Sequence, residues 1–235
     1  FLALLPKLCY NRFAVDFRRK FRPAANMRNC EDQSMNKRPY VPTDCFFKGS
    51  YNPAYEKAIA RGKSLCFRYN KLSPNARGAQ KKILQKLFGA MGKEVTVVPP
   101  FWCDYGYNIE VGDFFYANHN TVIQDGAKVR FGNNVFIAPD CVFTTAEHAV
   151  DPKMRADGIE IAKPVTIGNN VWIGAGAVIL AGVTVGDNAV IGAGSVVRKD
   201  IPANVVAAGV PCKVIRAITE EDKRAYPLYR GEYLP

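Results

Sequence analysis

The apolar positions of residues 165–200 recur every six residues without a slip. Broken into sixes, the stretch reads VTIGNN, VWIGAG, AVILAG, VTVGDN, AVIGAG, SVVRKD. The third place holds Ile167, Ile173, Ile179, Val185, Ile191 and Val197, and the first place holds Val165, Val171, Ala177, Val183, Ala189 and Ser195. Side chains on a strand alternate faces, so places one and three point one way and place two points the other. An even repeat preserves that parity from coil to coil. The pattern therefore predicts a mainly β solenoid of short stacked strands, with glycine, Asn and Asp supplying the positive-φ corners between them. Each buried Ile or Val contributes about 1.5–3 kcal/mol relative to exposure. No single coil can bury its own face, so the coils must stack.

Upstream the rhythm is looser. Val111, Ala117 and Ile123 keep the six-residue step, then Phe131, Ile137 and Phe143 resume it two residues out of register. A slip of two keeps every side chain on its own face, so the core survives it. Between Phe143 and Val165 the pattern stops. A long excursion from a regular solenoid is usually placed for function.

Before the solenoid, Asn52-Pro53 and Ser73-Pro74 each read as an N-cap followed by proline at the first helical position. They predict helices over 53–69, with Tyr55, Ile59, Cys66 and Tyr69 near one face, and over 74–88, with Ile83, Leu84, Leu87 and Phe88, ending at Gly89. Thr219-Glu220-Glu221-Asp222 predicts a short C-terminal helix. The expected layout is a poorly ordered extension over 1–34, a helical cap over 35–94, a β-helix over 95–217 carrying the loop 144–164, and a helix and tail over 218–235. The extension is apolar at 1–5 and basic at 18–22. A transit peptide is the alternative reading, against which stand a single serine, Ser34, and no small-residue cleavage site.

Charge and cysteines narrow the partners. The 235 residues carry 32 Lys and Arg against 21 Asp and Glu, a net charge of +11. That excess raises nucleic acid as a partner, but no basic run is interleaved with aromatics and no nucleic-acid motif occurs. A small anionic molecule is the better use for a few placed cations. The 7 cysteines form no CxxC pair, which argues against metal ligation and a disulfide framework and for reduced thiols in the cytoplasm. With 2 histidines the chain lacks a three-histidine zinc site. No stretch has the apolar length of a membrane span.

Four motifs carry a resemblance: FWCDYGYNI at 101–109, FYANHN at 115–120, KPVTIGNNVWIG at 163–174 and AAGVPC at 207–212. The chain resembles the hexapeptide-repeat acyltransferases with a left-handed parallel β-helix, nearest the maltose, galactoside and nodulation-factor O-acetyltransferase branch. The resemblance runs from about residue 48 to about residue 224 and implies a homotrimer with sites between subunits. It implies acetyl transfer from acetyl-coenzyme A to a hydroxyl of a sugar or glycoside, with no metal, no nucleic acid and no membrane.

By position, His148 matches the general base, and an imidazole of unperturbed pKa ~6.5 suits that task. Asp104, Asn118 and Asp125 match acceptor contacts, since carboxylates and amides pair with vicinal hydroxyls. Trp172, Ala175 and Ala193 match the surface that receives the pantetheine arm of coenzyme A. Arg198, Lys199, Lys213 and Arg216 match cations near its phosphates. Glu147 and Glu160 are both candidates for orienting the histidine. The sequence departs from the family pattern in having Ala149 where proline is usual, and Asn52, Pro53 and Tyr55 where an aspartate is usual. The competing readings are an acetyltransferase for an amine or an antibiotic hydroxyl, and a non-catalytic β-helix scaffold.

Overall fold

A computed structural model describes residues 38, 39 and 41–223. The extension expected over 1–34 and the tail after 223 lie outside the described residues. The hexads wind into a parallel β-solenoid of about six turns whose strands line three faces. The first face stacks Ala90–Met91, Ile109–Val111, Val129–Phe131, Val165–Ile167 and Thr184–Val185. The second stacks Thr96–Val97, Tyr116–Ala117, Phe136–Ile137, Trp172–Ile173, Val190–Ile191 and Val205–Ala208, and Lys213–Ala217 closes it antiparallel. The third stacks Phe101–Cys103, Thr121–Gln124, Val142–Thr144, Val178–Ile179 and Val196–Val197.

Places one and three point inward as expected. Val165, Val171, Ile173, Ala177, Ile179, Val185, Ala189, Ile191 and Val197 are all fully buried. Where the early turns have room, rings fill it: Phe131 packs on Phe115 and on Phe143, each at 5.1 Å between centroids. The edge between the first and second faces is built by asparagine. Asn134, Asn170, Asn188 and Asn204 all sit at φ between 55 and 60, a conformation Asn tolerates better than most residues. Their side chains join end to end, each amide nitrogen donating to the next oxygen at 3.0, 2.9 and 2.8 Å.

The slip of two is one of a series. The steps from Cys103 to Val111 and from Ile123 to Phe131 are both longer than six, and the excursion after Phe143 leaves from the same place in its turn. All the extra residues thus gather on the edge between the third and first faces. The excursion is no loose loop. Its strands Ala146–His148 and Ile159–Ala162 pair antiparallel, and Phe46–Lys48, from before the cap, adds a third strand. Between them a short helix Pro152–Ala156 is capped by Asp151, whose side chain accepts from Met154 N at 2.8 Å.

The cap is two helices, α1 (Pro53–Asn70) and α2 (Arg77–Leu87). Asn52 caps α1 as expected, its Oδ1 accepting from Ala54 N at 3.0 Å. The second helix starts later than the sequence predicts. Ser73 Oγ accepts from Asn75 N at 3.3 Å inside a separate turn, and that turn delays the helix to Arg77. Leu65, Cys66, Tyr69, Ile83, Leu84 and Leu87 bury against Phe101, Cys103 and Ile109 of the first turns, covering the open end of the solenoid. Cys66 Sγ and Cys103 Sγ meet there at 3.5 Å. After Lys213–Ala217 the described residues reach a 3-10 turn, Glu220–Lys223, where the sequence places a helix start, and the Asp222 carboxylate accepts from Thr219 N at 2.9 Å.

Candidate active site

The edge between the third and first faces collects the polar residues. Asp125 is fully buried there. Its Oδ1 accepts from Asp104 N at 3.0 Å and Tyr105 N at 2.9 Å, and its Oδ2 accepts from Asn108 N at 3.4 Å. Asn108 Nδ2 returns a bond to Asp125 O at 2.7 Å. Asp125, expected among the acceptor contacts, turns its carboxylate inward in the single chain and builds the 104–108 corner. Burial and the nearby Asp104 charge push the Asp125 carboxyl up to about 7, against the backbone N–H donors that hold it down.

Asp104 itself reaches the surface, where Lys63 of α1 meets its Oδ1 at 2.7 Å. The helix can come this close because residue 62 is glycine. A Cβ there would stand 2.1 Å from Asp104 O. Sequence reasoning passed over Lys63, and its position beside that glycine was the available signal.

The histidine arm is riveted to the same edge. Thr145, fully buried, donates through Oγ1 to Gln124 O at 2.7 Å and accepts from Ala127 N at 2.9 Å. Three residues on, His148 stands opposite Glu160 in the antiparallel register. Its ring is 59% exposed, with Nδ1 3.9 Å from Glu160 Oε1. Ser50 Oγ donates to that same oxygen at 2.5 Å. Glu147 instead takes Lys163 Nζ at 3.1 Å, so of the two acids only Glu160 faces the imidazole. Ala149 is buried, and Arg155 donates to the carbonyls of Ala149 and Val150, each at 3.0 Å. The missing proline therefore leaves the turn held.

A second group of positions lies on the edge between the second and third faces. Asn118, Gly174 and Gly192 form one column of that edge, and His119, Ala175 and Ala193 the next, linked turn to turn by backbone bonds such as Gly194 N to Ala175 O at 2.8 Å. Asn118 Oδ1 accepts from His119 N and meets His119 Nδ1, each at 2.8 Å. The later turns of this edge are nearly bare of side chains. A Cβ added at Gly194 would meet nothing within 4 Å, and at Gly176 the nearest atom is 4.0 Å away. Such a ridge fits a thread-like polar arm laid against exposed backbone.

Trp172 is 55% exposed on the second face, paired in register between Phe136, 53% exposed, and Val190. Tyr116 continues the row, its ring 6.5 Å from Phe136. Lys213 is exposed at the end of this face, and Arg198 and Lys199 are exposed on the third–first edge of the last full turn. Arg216 is engaged already. Its guanidinium grips Asp222 at 2.6 and 2.8 Å and pulls that carboxyl down to about 2. Arg216, expected near phosphate with Arg198, Lys199 and Lys213, thus carries a counter-charge from its own chain. Among the described residues, Asp104 and His148 thus lie on the third–first edge together with Arg198 and Lys199, whereas Asn118, expected among the acceptor contacts, shares the second–third edge with the donor-side positions Ala175 and Ala193.

Comparison with known proteins agrees with this architecture. Residues 164–199 match the family described as bacterial transferase hexapeptide (six repeats), and residues 47–92 match the maltose acetyltransferase hexapeptide capping motif. The galactoside O-acetyltransferase of Escherichia coli is 48% identical over 166 residues, 71% of this chain and 82% of that protein. Among solved structures, a galactoside acetyltransferase in complex with coenzyme A superposes with a TM-score of 0.75 at 42% identity, covering 81% of this chain and 94% of the other. A maltose O-acetyltransferase from Clostridium difficile 630 gives 0.71 at 46% identity, with 72% and 90% covered.

Fold and cap together define the class, a hexapeptide-repeat transferase. The chain belongs to the hexapeptide-repeat acetyltransferases, on the branch of the galactoside and maltose enzymes.

Proposed function

We propose that the protein transfers an acetyl group from acetyl-coenzyme A to a hydroxyl of a sugar or glycoside by direct attack, with His148 as general base. Acetyl-coenzyme A supplies the activated thioester. His148 takes the proton from the acceptor hydroxyl as its oxygen attacks, then delivers it to the departing sulfur. Glu160, opposite the ring and anchored by Ser50, fixes the imidazole's orientation. Asp104 receives acceptor hydroxyls at the same edge. The bare ridge along Ala175 and Ala193 takes the pantetheine arm beside Trp172, and Arg198, Lys199 and Lys213 face its phosphates.

The observation that carries this reading is the histidine arm. One of the 2 histidines is lifted off the coils, left open to solvent and set against a carboxylate on the polar edge. The separation of the two groups supports a homotrimer. A site complete in one chain would need both edges to meet, whereas a neighbouring copy can bring its donor edge to the histidine edge. The row of Tyr116, Phe136 and Trp172 on the second face suits such a contact.

The test is His148→Ala assayed with acetyl-coenzyme A and a panel of glycosides. Expected is a loss of about 10²–10⁴-fold in kcat with coenzyme A affinity unchanged. Undiminished turnover in the variant would remove His148 from the chemistry, and turnover on amines but not on hydroxyls would overturn the acceptor class.

A further inference from the structure

We propose that the groove between the two cap helices binds a multivalent phosphate-bearing anion, apart from the acetyl-donor site. The groove encloses about 400 Å³ and is lined by Arg38, Arg61, Ser64, Arg68, Gln85 and Lys86, with Leu65 at its floor. Arg61, Ser64, Leu65 and Arg68 follow the i, i+3, i+4, i+7 spacing, so they form a single stripe of α1. None of the lining residues is acidic.

The absence of counter-charge extends well beyond the groove. Between Glu56 and Glu94 the sequence has no Asp or Glu, although lysines and arginines recur on both helices. The nearby Asp104 is already taken by Lys63. Like charges gathered on one surface repel, and an anion seated among them relieves that cost.

Two of the cations are held in place before any ligand arrives. Arg61 Nη2 donates to Lys86 O at 3.2 Å, and Arg38 lies over the Tyr107 ring at 5.0 Å from its centroid. Arg68 makes no hydrogen bond or ion pair among the described residues, which leaves its fork open. Guanidinium forks match phosphate oxygens in pairs, and holding them beforehand lowers the ordering cost of binding. Three guanidiniums and an ammonium around one groove call for more than one negative group, so a diphosphate fits better than a monocarboxylate. The donor-side positions Ala175, Ala193 and Lys213 belong to later turns, whereas the cap packs on the first turns. The two sites are therefore separate, and this inference does not rest on the catalytic reading.

The experiment is calorimetric titration of inorganic pyrophosphate into the full chain at low salt, with coenzyme A already saturating. Expected is one saturable site per chain whose affinity falls as salt rises. Arg68→Gln and, separately, Arg38→Gln should weaken it at least tenfold without changing the melting temperature or the acetyl-transfer rate. Flotation with phosphatidic acid vesicles, against phosphatidylcholine vesicles, identifies the source. Capture reversed by pyrophosphate points to a lipid headgroup, and pyrophosphate binding without capture points to a soluble phosphate ester. No saturable heat, or equal affinity in both variants, overturns the proposal.

Discussion

Asp125 shows how the orientation of one side chain is decided by residues far from it in sequence. The resemblance matched it to an acceptor contact, but whether a carboxylate faces out to a ligand or in to backbone N–H groups depends on the path of a corner about twenty residues earlier. That path is set by Asp104 and Asn108, which only the fold brings near. The raised carboxyl has a pH signature. Because its folded pKa of about 7 lies above the ordinary carboxylate value, its contribution to stability is fully present below about pH 4 and is lost as pH rises through 7. Asp125→Asn cannot titrate. Melting curves from pH 4 to 8 should therefore show the wild type losing stability relative to the variant, so that the gap between them narrows as pH rises. A gap independent of pH would mean that the carboxyl titrates normally.

Within the coils the hexad pattern could be read almost residue by residue, since inward places, outward places and corner glycines all fell where parity puts them. The lost signal was the partner of Trp172. Along the chain its counterparts are small residues of neighbouring hexads, whereas in the sheet it stands beside Phe136, across the whole histidine arm. The insertions that break the spacing hide the aromatic row.

Corner glycines also divide into two kinds. At Gly174 a Cβ would lie 2.5 Å from Ala193 N and 2.9 Å from Ile191 O, backbone atoms that cannot move aside. At Gly194 the space is open and only the φ of 67 resists. Gly194→Ala should cost about 1–2 kcal/mol. Gly174→Ala should cost more, because the next turn must shift to admit it. Chemical denaturation of the two variants checks the order, and equal losses would show that the stacking tolerates displacement.

At the scale of the whole molecule, the sequence predicted a solenoid with a cap but was silent on which edge each group occupies. Edge assignment depends on the cumulative count of residues around every turn, and two extra residues or a long excursion reset it. If catalysis needs edges from two chains, two dead variants should rescue each other. Chains carrying His148→Ala, and chains carrying Ala193→Trp to block the bare ridge, are each expected to be inactive alone. Refolded together they should regain activity, from sites that pair an intact histidine edge with an intact ridge. A mixture as inactive as its parents would place the entire site within one chain.

The asparagine string sets a rule for how such a protein can change its length. Each amide hands its hydrogen bond to the one directly above, so a segment can be removed or added only in amounts that return an asparagine to that corner. Loss of one full circuit between Asn170 and Asn188 leaves the string unbroken, whereas loss of a single hexad turns every later residue onto the neighbouring wall. Growth and shrinkage of the rod are thereby quantised, and the corner amides act as the ruler.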